Sequence, residues 1–199
     1  MIIKEIILQM YISLIPVIAS GVMNMVWCRS RIMSCLKIPM DNNIILKDGK
    51  RLFGDNKTWK GFLGMIIWGI VSTVIWGGVC YKIQFLESHN YMYVNYDNTI
   101  RYNIIMGFLL GLAYAVFELP NSFVKRRLNI KPGKHADGFK GLIGIFVDMS
   151  DSLFACVLVL CIVYKMKLSL YIFYVMLGAI THLIINIILF KFKLRKNKY

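Results

Sequence analysis

Two aspartates, Asp148 and Asp151, stand inside an otherwise apolar stretch of the chain. A spacing of three places both carboxylates on one face of a helix. Charge at membrane depth is expensive and is usually turned toward a cavity or the interior of a bundle. Two neighbouring carboxylates also repel, so they require a cation between or beside them. Oxygen ligands suit Mg²⁺, which typically takes one or two carboxylates and completes its shell with water and substrate phosphates. The competing reading is a structural ion pair with a basic residue nearby.

Two polar segments supply groups of the opposite kind. Residues 48–61 (DGKRLFGDNKTWKG) combine Lys and Arg with Asp55, Asn56, Thr58 and three glycines. Glycine lets a backbone approach a ligand closely, and closely spaced cations hold phosphate oxygens. A solvated basic turn meeting anionic lipid is the plainer alternative. Residues 118–131 (ELPNSFVKRRLNIK) begin with Glu118 at the end of an apolar run. Pro120 suits the first turn of a new helix. On such a helix Ser122, Lys125 and Arg126 fall at i, i+3 and i+4 and share one face, which could grip a polyphosphate. The alternative is a short amphipathic helix lying on acidic headgroups. His182 and Asn186, one helical turn apart, could line the same cavity or hydrogen-bond between helices. His89 and His135 carry no further signal. No Ser–His–Asp order, CxxC pair or GxxxxGK[ST] loop is present, so a covalent hydrolase, a zinc site and a Walker nucleotide site lack support.

The elements that must position these groups are set by composition. Of 199 residues, 58% are hydrophobic, above the roughly 45–50% of a soluble domain, and a bilayer is the solvent that covers the excess. Apolar runs at about 6–28, 60–82, 102–120, 141–164 and 168–190 each approach the roughly 20 residues needed to span it. The fold expected is an all-α integral membrane protein of about five transmembrane helices in one membrane domain. The first run is too long and lacks the small-residue cleavage site of a signal peptide. The net charge of +14 follows from topology, with no nucleic acid implied. With five spans, 19 of the 24 Lys and Arg residues lie on one side, which the positive-inside rule makes cytoplasmic. The N-terminus is then outside and the C-terminus in the cytoplasm. Polar segments 29–59 and 121–140 face the cytoplasm too. The five cysteines show no metal spacing and are expected to act as small hydrophobes.

With the motifs in place, the chain resembles the CDP-archaeol synthases, also called CTP:archaeol cytidylyltransferases. The run 48–61 looks like their signature, 118–131 is similar to their second motif, and Asp148-Met149-Ser150-Asp151 to their third. The last two also echo the related CDP-diacylglycerol synthases. The resemblance implies a Mg²⁺-dependent reaction in which CTP and a membrane lipid phosphate give a CDP-lipid and pyrophosphate. It places Asp148, Asp151 and Lys125 in the catalytic set, with Glu118 joining the two aspartates at the metal. Ser122, Lys125, Arg126 and Lys131 would contact the triphosphate, and Asp55, Asn56, Lys57 and Thr58 would bind the nucleotide or close over it. The family usually has Gly-Asp where this chain has Phe117-Glu118, and a shorter link from Lys131 to Asp148. The lipid expected is an archaeol-type ether lipid, with phosphatidic acid as the second choice. Two other functions compete: a CTP-dependent lipid kinase of the polyprenol or phytol kind, and a non-enzymatic transporter or scaffold. Five unlike spans show none of the inverted repeats common in such transporters.

Overall fold

The computed structural model describes residues 2–131 and 138–192. The expected link around His135 and the basic tail beyond Phe192 lie outside the described residues. Six α-helices follow in order: α1 (Ile2–Arg29), α2 (Trp59–Lys82), the short α3 (Gln84–Ser88), α4 (Ile100–Arg127), α5 (Gly138–Tyr164) and α6 (Leu168–Lys191). All but α3 are long and apolar enough to cross a membrane. Their backbone hydrogen bonds close within each helix, which is what hydrocarbon requires. The ends carry local signals. Thr58 caps α2 by accepting from the Gly61 amide at 3.2 Å, and Thr99 caps α4 by accepting from the Tyr102 amide at 3.2 Å. Lys125, Arg126 and Arg127 fill the last turn of α4, where cations complement the helix dipole.

One expectation is corrected here. The sequence suggests a helix ending at 120 and a new one starting at Pro120, but α4 runs through Pro120 without a break. Proline removes only one donor, that which would meet the Val116 carbonyl. The Ser122 hydroxyl donates to the Glu118 carbonyl at 3.0 Å one turn further on. Glu118, Ser122, Lys125 and Arg126 therefore sit on a single continuous helix.

The long helices pack as a bundle in which α2 lies along α4, α1 along α2, α4 along α5 and α5 along α6. The α2–α4 crossing is close because glycines face backbone. A Cβ on Gly107 would lie 2.6 Å from the Gly69 carbonyl, and one on Gly111 would lie 2.6 Å from the Met65 carbonyl. Small residues at such a crossing let helices approach where no hydrophobic drive between them operates. Gly107→Val is expected to separate α2 from α4 and to cost about 1–3 kcal/mol, the range for overpacking a filled core. Thermal unfolding in detergent checks this, as a lowered midpoint relative to the parent. The opposite end of the bundle is closed by residues 89–99. There the Tyr91 amide donates to Ser13 Oγ at 2.9 Å, and Asn98 and Asn103 bind each other at 2.8 Å.

The segment from Ser30 to Thr58 is irregular but tightly organised around Asp41, whose side chain is fully buried. Its carboxylate accepts from Arg51 Nε and Nη2 and from the amides of Asn43, Phe53 and Gly54. Gly54 has φ of 102°, a conformation that a residue with a Cβ rarely adopts. That geometry turns its amide toward Asp41 at 2.9 Å. Burial alone would raise the Asp41 pKa, but the hydrogen bonds from Arg51 and from these amides outweigh it. They hold its carboxyl well below the usual carboxylate range. The Arg51 guanidinium, hydrogen-bonded to Asp41, is shifted up in turn.

Candidate active site

The Asp41-centred loop is fastened to the end of α4. Lys50 Nζ donates to the Arg127 carbonyl at 2.6 Å, Arg127 Nη2 donates to the Arg51 carbonyl, and Arg127 Nε lies 2.9 Å from Asp48 Oδ2. The Arg127 guanidinium rests over the Phe123 ring at 4.7 Å. Backbone bonds from Met40 to Lys57 at 2.8 Å and from Trp59 to Ile38 at 3.1 Å tie the two ends of the loop together. The result is that Asn56 and Lys57 are held over a cavity in the helical bundle.

That cavity, of about 360 Å³, is lined by the five long helices, α2 through Met65 alone, and by the loop. Its polar wall is formed by Asn56 and Lys57 from the loop, Glu118, Asn121, Ser122, Lys125 and Arg126 from α4, and Asp148 and Asp151 from α5. Its other walls carry apolar side chains such as Leu14, Val17 and Ile18 of α1, with Ile185 and Leu189 of α6. Lys57 pairs with Glu118, and Lys125 with Asp148.

Asn121 stands at the centre of the polar wall. Its Nδ2 donates to Asp148 Oδ1 at 2.6 Å and to Asp151 Oδ2 at 2.7 Å. Two carboxylate oxygens thus converge on one point, occupied here by a donor hydrogen-bonding group. Among the described residues no cluster of three or more His, Cys, Asp or Glu side chains is grouped to hold a metal. A two-carboxylate donor set of hard oxygens suits Mg²⁺, which leaves the remaining positions to water and phosphate. The residues fit that ion. Glu118, also expected at the metal, is engaged by Lys57 on the same wall.

Arg126 is the second distinctive group. It is only 9% exposed, and its Nε and Nη1 are buried with no hydrogen-bond partner among the described residues. Leaving donors of a charged group unpaired is costly, and an anion entering the cavity would satisfy them. Ser122 is also buried beside it on α4.

Of the residues singled out in the sequence, Asn56, Lys57, Glu118, Ser122, Lys125, Arg126, Asp148 and Asp151 line this one cavity. Asp55 and Thr58 do not. Asp55 pairs with Arg51 at the exposed side of the loop, and Thr58 caps α2. Lys131 is exposed, beyond the end of α4. His182 and Asn186 both line the cavity, and each also binds α5. His182 Nδ1 donates to the Met149 carbonyl at 3.1 Å, and Asn186 Nδ2 meets Met149 Sδ at 3.0 Å. Asn121 does not stand out in the sequence, because an uncharged amide in a helix carries no signal of its own. One cue existed, since it lies one turn before Lys125 on the expected face.

The family described as CarS-like CDP-archaeol synthase matches residues 3–199. The chain belongs to this family. A CDP-archaeol synthase of Pyrococcus furiosus is 39% identical over 100 residues, 50% of this chain and 52% of that protein. One from Thermofilum pendens is 38% identical over 98 residues, 49% of this chain and 38% of that protein. One from Methanoculleus marisnigri is 31% identical over 114 residues, 55% of this chain and 61% of that protein. The chain thus spans about half the length of the first of these curated CDP-archaeol synthases. A solved intramembrane enzyme for archaeal membrane lipids biosynthesis superposes with a TM-score of 0.59. It covers 89% of this chain and 92% of its own, at 21% identity, so the likeness is one of fold.

Proposed function

We propose that the chain is a membrane cytidylyltransferase that transfers CMP from CTP to a lipid phosphate. The products are a CDP-activated lipid and pyrophosphate, and the lipid is of the archaeol ether type, with phosphatidic acid as the ester counterpart. The observation that carries this reading is the convergence of Asp148 and Asp151 on one point between Lys125, the buried Arg126 and an apolar cavity. A nucleotide triphosphate needs the first three, and a lipid needs the last. Relatives that bear the name CDP-archaeol synthase support the same activity.

In the proposed reaction an oxygen of the lipid phosphate attacks the α-phosphorus of CTP. The bond from that phosphorus to the β-phosphate oxygen breaks, and pyrophosphate leaves. Asp148 and Asp151 would hold Mg²⁺, whose contribution is to neutralise charge on the triphosphate and the departing pyrophosphate. Arg126 and Lys125 would hold phosphate oxygens, Lys125 exchanging part of its contact with Asp148 for the substrate. Ser122 would add a hydroxyl donor. Lys57, with Asn56, would cover the nucleotide from the loop side. Catalysis of this kind is positioning and charge stabilisation, and no covalent enzyme intermediate is required. The lipid chains would lie in the apolar part of the cavity. The side carrying the basic loop faces the cytoplasm in this reading, with the N-terminus outside, the C-terminus inside and the protein in the cell membrane.

Release of pyrophosphate by detergent-purified protein tests the proposal. With CTP and Mg²⁺, pyrophosphate is expected only when an unsaturated archaetidic acid or phosphatidic acid is added, and the productive lipid names the substrate class. Formation of CDP from a lipid alcohol would instead identify a γ-phosphoryl transfer and overturn it.

A further inference from the structure

Between the end of α1 and the loop centred on Asp41, residues 30–39 are tied down at several points to the start of α2. The Lys60 side chain is buried, and its Nζ donates to the Ser30 carbonyl at 2.9 Å and to the Ile32 carbonyl at 2.7 Å. The Trp59 amide donates to the Ile38 carbonyl at 3.1 Å. Lys60 and Trp59 both belong to the first turn of α2. The segment is therefore held at the level where two membrane-crossing helices end. The 28 residues of α1 and the 24 of α2 rise about 42 and about 36 Å, against about 30 Å of hydrocarbon and about 40–45 Å with headgroups included. Their ends, and the segment pinned to them, fall in the headgroup layer.

The segment presents two kinds of side chain to that layer. Ile32, Met33 and Ile38 are each at least half exposed, and Trp59, beside Ile38, is exposed too. Tryptophan is enriched at membrane–water interfaces. Arg31 and Lys37 are also exposed, and neither enters an ion pair among the described residues. No acid lies between Glu5 and Asp41, and Asp41 is itself buried and paired with Arg51. Apolar side chains interleaved with cations beside a spanning helix complement anionic headgroups and the acyl boundary beneath them. The turn that displays them is a fixed one. Met33 takes a φ of 50°, in the left-handed region that non-glycine residues rarely adopt, and Lys60 holds the two carbonyls just before it.

We propose that residues 30–39 are an interfacial anchor for the anionic headgroups of the leaflet in which this end of α1 and α2 lies. The anchor is hydrogen-bonded directly to the part of the loop that covers the main cavity. Pro39 pairs with Thr58, and the Met40 amide donates to the Lys57 carbonyl at 2.8 Å. Seating the anchor in an anionic leaflet thus steadies the ladder that holds Lys57, and leaflet charge becomes a regulator of the loop. The anchor depends on the five spans and not on the reaction assigned to the cavity.

Cys35, the exposed one among the five free cysteines, makes a direct test possible. A nitroxide is attached to it in the full chain, with Cys35→Ser as the background. The protein is reconstituted in phosphatidylcholine vesicles with or without phosphatidylglycerol. Collisions with oxygen and with an uncharged, water-soluble nickel chelate report the depth of the label. Collisions with the chelate are expected to fall severalfold in the anionic vesicles, and high salt should restore them by screening. Arg31→Glu combined with Lys37→Glu should abolish the difference, since each basic residue near a charged surface is worth about fivefold in attraction. Proteolysis between Met40 and Thr58 should be slower in the anionic vesicles for the parent, and equal in both for the double variant. Equal chelate access in neutral and anionic vesicles overturns the anchor, and that comparison needs no substitution that could disturb folding. Parental depth in a folded double variant overturns it as well. Parental loop cleavage that is indifferent to leaflet charge overturns the link to Lys57. None of these readouts requires turnover of CTP, so a failure of the cytidylyltransferase reading would leave them unchanged.

Discussion

Replacing Asp148 or Asp151 by asparagine is expected to lower turnover at least a hundredfold while the protein remains folded. The magnitude follows from the kind of catalysis proposed. Removing one preorganised electrostatic group from an active site costs about 10²–10³ in rate, and in the proposed site each carboxylate would supply half of the protein's donor set for the cation. The two variants should differ in detail. Asp151 is bonded by Asn121 and by the Ser152 amide at 2.6 Å, contacts that an asparagine Oδ1 can in part keep. Asp148 is bonded by Asn121 and also pairs with Lys125, so Asp148→Asn weakens the hold on a second functional group. Its loss of activity should be the larger, with a weakened apparent affinity for CTP added to the fall in turnover. Steady-state kinetics at saturating CTP, with thermal unfolding measured alongside, separates these effects. Retained turnover in either variant, from folded protein, would remove that aspartate from the assignment.

The second large effect is expected far from the reacting atoms. Asp41→Asn should loosen the loop from Met40 to Thr58 and lower kcat/KM, because that loop holds Asn56 and Lys57 over the cavity. Five donors meet the Asp41 carboxylate. Loss of its charge-assisted bonds is worth about 1.5–3 kcal/mol. A fully buried ion pair would give more, about 3–5 kcal/mol, but Arg51 remains 24% exposed and solvent screens it. The same carboxylate predicts a pH dependence. Its folded pKa lies below the ordinary value of 3.8. Its contribution to stability is therefore complete above about pH 4 and is lost as pH falls through the lower folded value. Limited proteolysis of the loop should accordingly rise on acidification in the parent. In Asp41→Asn it should be high at neutral pH and show no such rise. Equal protection of parent and variant at neutral pH would show that Asp41 does not organise the loop.

How much of this could be read in advance differs between elements, for physical reasons. The five spans were legible because a helix in hydrocarbon must be a contiguous apolar run of fixed minimum length. The shared face of Asp148 and Asp151 was legible because the helical period is local. The end of the third span was not. Pro120 reads locally as a start, yet α4 continues to Arg127, where Asn121 and Lys125 meet the α5 aspartates. Packing between helices overrode a one-residue preference. The Asp41–Arg51 clamp joins residues ten apart in an irregular segment, and no periodicity marks such a pair. Asp55 and Thr58 show the converse. Their place in the motif puts both at the nucleotide, and in the structure each also makes a structural contact: Asp55 pairs with Arg51, and Thr58 caps α2 while lining a second, smaller cavity. The capping role was itself readable, since a threonine just before an apolar helix is a common N-cap.

The most direct test of cytidylyl transfer uses CTP labelled in turn at its α- and γ-phosphorus, with Mg²⁺ and the productive lipid phosphate. The α-label is expected to enter the lipid and the γ-label to appear in pyrophosphate. Transfer of the γ-label to lipid, with the α-label left in CDP, would contradict it.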